Sequence, residues 1–182
     1  MRSLTYVTHV PEPPLARFLF ANPKMAWVWL IIRLYVGYAW LMAGWEKLLN
    51  PAWTGEHAGA AVTGFLKGAL AKTSGLHPDV TGWYAAFIQN SALPNAEVFS
   101  YIVVYGEIAV GIALILGILT GIAAFFGTFM NLNFLFAGTV STNPILLLLS
   151  LFLILAWRVA GWYGIDRWLL PKVGVPWAGN KY

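Results

Sequence analysis

The chain has 182 residues, of which 59% are hydrophobic and only 10% charged, whereas a soluble domain is about half apolar and a quarter charged; water is excluded as its main solvent. The formal net charge of +4 is carried mostly towards the ends, which excludes nucleic acid as a partner, since that needs a basic stripe on a soluble face, and instead suits contact with membrane lipid headgroups. With no cysteine, disulfides, iron–sulfur clusters, thiolate metal sites and a catalytic persulfide are excluded together.

Residues 1–24 hold Pro11, Glu12, Pro13 and Pro14 and lack a short apolar core ending in a cleavage site, so they are predicted to be a retained cytoplasmic segment and not a signal peptide. Four stretches then match the ~20 apolar residues needed to cross a bilayer. The first spans 25–49, opened by Pro23 and closed by Asn50-Pro51, a suitable start and stop for a helix. The insert that follows, 51–94, is too long for a plain loop. Around His57 to Lys72 and Asp79 to Ala92 it has the apolar spacing of two amphipathic helices. These lie on the outer membrane surface, or form a lid over a site between helix ends.

The second span, 96–118, follows Pro94-Asn95; the third, 120–140, follows with almost no turn, so Gly117 and Gly121 must supply the backbone freedom of a tight hairpin. The fourth, 143–163, has Thr142 or Asn143 as its cap and Pro144 in its first turn. Asp166 and Arg167 beyond it read as an interfacial end. The predicted fold is therefore an all-α integral membrane protein: a four-transmembrane-helix bundle over residues 25–171, with an outer insert and a C-terminal tail, 172–182. Ten Trp and eight Tyr suit the two membrane–water interfaces. Arg2, Arg17 and Lys24 precede the first span and Arg167, Lys172 and Lys181 follow the fourth, which places both termini on the cytoplasmic side. His9, His57 and His77 all lie outside the spans, which argues against a haem ligated from two facing helices.

Charges inside spans carry the functional information, because each is unfavourable by at least ~2.5–3.5 kcal/mol at the helix centre. Arg33 lies ~12 Å from the inner end of the first span and Glu107 ~14 Å from the inner end of the second, so the two are predicted to pair near the midplane. Arg33, Gly37, Trp40, Gly44 and Lys47 recur every three or four residues and form one stripe of the first helix. Lys47 ends that stripe at the level where Glu97 opens the second helix, which predicts a second pair there. Asn131, with Thr128 one turn below, is predicted to join Arg33 and Glu107. Such groups act either as clasps between helices or as a proton relay or counter-charge at a binding site.

These residues resemble a known family. Arg33-Leu-Tyr-Val-Gly37, Ala43-Gly44-Trp45-Glu46-Lys47-Leu48, Tyr105-Gly-Glu107 with Gly111, Asn131-Leu-Asn133 before Ala137-Gly138-Thr139, Thr142-Asn143-Pro144 and Gly161-Trp-Tyr-Gly164 with Asp166-Arg167-Trp168 resemble, in order and spacing, the DoxX/DoxD family. The asparagines of the third helix and the long first connection lean towards the DoxD branch, which is similar to the large subunit of thiosulfate:quinone oxidoreductase.

The resemblance implies a quinone-linked oxidoreductase of a prokaryotic cytoplasmic membrane, oxidising thiosulfate or a related small sulfur donor. It also implies a small partner subunit, membership of a larger respiratory complex, or a homo-oligomer. The acceptor would be ubiquinone or menaquinone, held by Arg33, Trp40, Glu107 and Asn131, with Arg33 and Glu107 catalytic. The anionic donor would lie among Trp45, Lys47, Asn50, Trp53, Glu97 and Asn143 at the outer surface. No haem, iron–sulfur cluster, flavin or metal is expected. The competing reading is a non-catalytic anchor or accessory subunit of a respiratory complex.

Overall fold

The computed structural model describes residues 12–174; Arg2, His9, Lys181 and most of the predicted tail lie outside that range. Pro14–Ala21 forms α1. Asn22 then accepts a hydrogen bond from the Lys24 amide (2.9 Å) and Pro23 opens a short 3₁₀ turn, which feeds directly into α2, Ala26–Leu48. Asn50 closes this helix and caps the next, accepting from the Ala52 amide at 3.0 Å, so that Pro51 begins α3, Pro51–Thr54.

The insert folds as α4, Ala60–Leu70, and α5, Gly82–Phe87, the latter running on as a π-helical turn, Ile88–Ala92. Its apolar faces close a core of their own around Val62, Leu66, Tyr84 and Ile88, seated on Ala96 and Ala137 at the ends of the neighbouring helices. The insert is thus packed onto the bundle as a cap.

Those neighbours are α6, Ala96–Leu116, and α7, Thr120–Phe136. Gly117 ends α6 with φ 68°, the left-handed stop that glycine adopts without strain. Next come α8, Asn143–Leu155, and α9, Trp157–Ala160, separated by a break at Ala156. The predicted fourth span is therefore two pieces; the apolar pattern runs straight through the break, with neither Pro nor Gly to mark it. Pro144 does sit in the first turn of α8, but neither Thr142 nor Asn143 caps it through a side chain. Asn143 donates instead to the Thr139 carbonyl at 3.1 Å. Asp166–Lys172 forms α10.

Two helices, Pro23–Leu48 and Ala96–Leu116, are long and apolar enough to cross a membrane; α7 and α8 are apolar but shorter. The distribution of side chains is that of a protein in lipid. Ile31, Leu34, Ile122, Phe125, Phe126, Phe129 and Leu148 are exposed, while Arg33, Glu107, Asn131 and Asp166 are buried. A protein surrounded by water would reverse this arrangement.

Candidate functional site

The register of α2 against α6 decides which charges meet. The helices run antiparallel and approach through glycines. A Cβ on Gly37 would lie 3.0 Å from Leu114 Cβ, one on Gly111 2.7 Å from Leu41 Cα, and one on Gly44 3.0 Å from Glu107 Cβ. Facing residue numbers thus sum to about 151, so Arg33 faces about position 118 and lies about eleven residues, or ~16 Å, inward of Glu107. The predicted Arg33–Glu107 pair does not form.

Glu107 pairs instead with Lys47, Nζ to Oε2 at 2.7 Å. The predicted Lys47–Glu97 pair is replaced by this one, and Glu97 is exposed beside Gly59. The physical reason for both corrections is that α6 begins inside the insert. Ser100 donates to the Trp53 carbonyl at 2.6 Å and Tyr101 to that of Thr54 at 3.4 Å, so its first turns lie beyond the outer end of α2. Depths counted from the ends of the apolar runs therefore place Glu107 too far inward relative to Arg33.

The rest of the predicted constellation divides the same way. Gly127 of α7 packs on Trp40, whose Nε1 would lie 3.0 Å from an added Cβ, and on Val110. One turn further out, Gly44, Glu107 and Asn131 occupy the next layer, with Asn131 fully buried. By helical register Trp40, Glu107 and Asn131 stand in adjoining layers near Lys47, and Arg33 is not among them.

Arg33 belongs to an inner clasp. Its guanidinium donates to the carbonyls of Leu114 (2.7 Å), Ile115 (3.4 Å) and Tyr163 (3.2 Å). Asp166 close by accepts from the Leu119 amide (2.6 Å), the Thr120 amide (2.8 Å) and the Thr120 hydroxyl (2.6 Å). A residue beyond α9 therefore caps the start of α7 from 46 residues away, a role that its reading as an interfacial end does not contain. Exposed Arg158 lies 5.7 Å from the Trp157 ring centroid and pairs with Glu12 at 3.5 Å, a solvent-facing ion pair of little energetic weight.

The predicted donor residues take up different roles. Trp45 is exposed, Asn50 caps α3, Asn143 belongs to the turn between α7 and α8, and Lys47 turns inward to Glu107. Only Trp53 stays with Lys47, its ring centroid 5.3 Å from Nζ.

Trp53 is also one wall of a cleft of about 170 Å³ between the insert, α6 and α7. Phe65, Tyr84, Phe99 and Phe134 are among its other walls, with Asn133 and the Tyr84 hydroxyl as polar groups. The Tyr84 hydroxyl donates to the Asn133 carbonyl at 3.0 Å, and burial pushes its pKa up to about 12, so it keeps its proton at working pH. Val103, one turn outward of Glu107, and Met130, next to Asn131, line the same cleft. The sequence reading missed Tyr84 and Asn133 as site residues; the density of aromatic residues in the insert was the available signal.

The fold and this site define a class: a helical membrane protein with an ion pair buried beside an aromatic cleft that is roofed by the helical insert. The sequence matches the DoxX family model over residues 28–140, well over half of the chain, and the protein belongs to the DoxX family. The match covers α2, the insert, α6 and α7, which are the elements that build the ion pair and the cleft. No curated protein and no solved structure matches the chain.

Proposed function

We propose that this DoxX protein is a quinone-linked membrane oxidoreductase, or the quinone-facing subunit of one, with the quinone ring seated in the aromatic cleft and the Lys47–Glu107 pair as its proton partner. The observation that carries the reading is the shared wall: Trp53 borders the cleft and stacks beneath the ammonium that neutralises Glu107. The fit is chemical as well as spatial. The cleft is apolar and aromatic, as a lipid-soluble ring requires, and offers Tyr84 and Asn133 as its few polar groups.

A bound quinone supplies a two-electron acceptor that takes up two protons. The chain's own residues bind the ring between aromatic faces, shield it from water beneath α4 and α5, and hold an exchangeable proton at the Glu107 carboxyl. The electron donor, thiosulfate or a related small sulfur compound, enters only through the resemblance to the DoxD branch. The second reading, a non-catalytic anchor, is favoured by the Arg33–Asp166 clasp, in which both Nη groups of Arg33 and both carboxylate oxygens of Asp166 are hydrogen-bonded within the protein.

The test is extraction of quinone from protein purified out of membranes. Val103→Trp, which fills the cleft, is expected to reduce bound quinone at least about tenfold with the protein still folded. Glu107→Gln is expected to keep the quinone and slow its reduction about 100-fold or more, the usual worth of a positioned acid–base group. Quinone content that ignores Val103→Trp would remove the cleft from the proposal, and a folded protein that never carries quinone would leave the anchor.

The same reading has α7 and the interrupted pair α8–α9 crossing alongside α2 and α6, with both termini cytoplasmic and the insert outside. Because the chain has no cysteine, single substitutions report topology without background. Glu56→Cys is expected to react with a membrane-impermeant maleimide in intact cells, and Lys172→Cys only after lysis. Equal labelling of both would refute the three crossings between these positions.

A further inference from the structure

Among the described residues the bundle interior holds buried polar atoms that the protein itself leaves without partners: the Trp40 indole N–H, the Thr128 hydroxyl and both side-chain amide atoms of Asn131, with Ser150 Oγ of α8 and Arg33 Nε besides. Asn131 is 0% exposed, Trp40 3% and Thr128 7%. Helical register places them at neighbouring levels. Trp40 touches Gly127; Asn131 stands four residues beyond Gly127, as Gly44 stands four beyond Trp40 and as Glu107 stands three before Val110 on the antiparallel helix. Thr128 lies between the two layers on α7.

Buried polar groups are nearly always hydrogen-bonded, and where the protein does not supply the partner, ordered water does. Such a water needs two to four polar neighbours. This layer offers one donor from Trp40, two donors and an acceptor from Asn131, a hydroxyl from Thr128 and the carboxylate of Glu107. Among the described residues the charged side chain facing that carboxylate is Lys47; Arg33 and Asp166 lie ~16 Å away along the bundle.

We propose that this layer is a hydration site in which ordered water bridges Glu107 to Asn131, Trp40 and Thr128, giving the carboxyl a proton-exchange partner sealed from lipid. The inference stands apart from the quinone reading, and its test needs no turnover. Asn131→Leu and Thr128→Val each delete unpartnered polar atoms at nearly constant volume. In a dry interior each change relieves a buried unsatisfied group and raises Tm. In a hydrated one each takes a partner from the water and lowers Tm.

The expected result is a lower Tm for both variants, with a double variant that loses less than the two single losses added together. A rise, or no change, overturns the proposal. Infrared spectroscopy with isotope-labelled glutamate separates hydration from simple repacking. The Glu107 band, assigned by its loss in Glu107→Gln, is expected to shift in Thr128→Val, which alters one hydroxyl on a neighbouring helix. A lowered Tm with the band unmoved is a packing effect, and it too overturns the proposal.

Discussion

Replacing Lys47 by methionine is expected to destabilise the protein by about 3–5 kcal/mol, the range seen when one partner of a buried ion pair is removed, and to cost more than Glu107→Gln. The asymmetry follows from where each partner sits. The Glu107 side chain is 1% exposed and that of Lys47 22%. Without Glu107 the lysine stem can swing its ammonium towards the outer headgroups. Without Lys47 the carboxylate has no such route and must take up a proton or draw in water. Unfolding of purified protein in detergent, followed through a double-mutant cycle, measures this directly. The double variant Lys47→Met with Glu107→Gln is expected to lose less than the two single losses added together, a coupling of roughly 2–3 kcal/mol. Equal single losses that simply add would show the pair to be a loose, solvent-screened contact, and the proton role of Glu107 would lose its electrostatic basis.

Which parts of this were legible in the sequence follows from what is local. The stripe Arg33, Gly37, Trp40, Gly44 and Lys47 is set by helical periodicity, and it is the face of α2 that turns inward, four of its members buried and Lys47 half-buried. Charges and amides in apolar helices had to face inward for the same reason, so Glu107 and Asn131 were found. Register was not legible. It depends on the close approach of Gly44 to Glu107 and of Gly111 to Leu41, and on α6 starting beneath the insert, neither of which the ends of an apolar run reveal. One misplaced register was enough to exchange partners for Arg33, Lys47 and Glu107 at once. The aromatic cleft escaped because Tyr84 and Asn133 are 49 residues apart, and the break at Ala156 because no residue there disfavours helix. The long-range cap by Asp166 escaped for a further reason: a carboxylate just past an apolar span looks the same whether it faces headgroups or another helix end.

That cap carries the second large effect. Asp166→Ala is expected to cost about 3–5 kcal/mol, comparable with breaking a buried ion pair, because three hydrogen bonds are lost together and the charge beside Arg33 disappears with them. The turn it closes is held open by nothing local. Leu119 sits at φ 44°, a conformation that costs a non-glycine residue about 1–3 kcal/mol, and the Thr120 amide, fully buried, would be left unpaired. Asp166→Asn keeps one carbonyl oxygen but turns an amide N–H₂ towards donors, so a loss of about 2–3 kcal/mol is expected; Thr120→Val, which removes a single hydroxyl bond, should cost about 1 kcal/mol. The order Ala, then Asn, then Thr120→Val is read from thermal unfolding in detergent. If the inner cluster is only a clasp, folded Asp166→Asn protein keeps the same quinone content as the parent chain. Loss of quinone at unchanged stability would instead move the functional centre to Arg33 and Asp166, ~16 Å from where the Lys47–Glu107 pair places it.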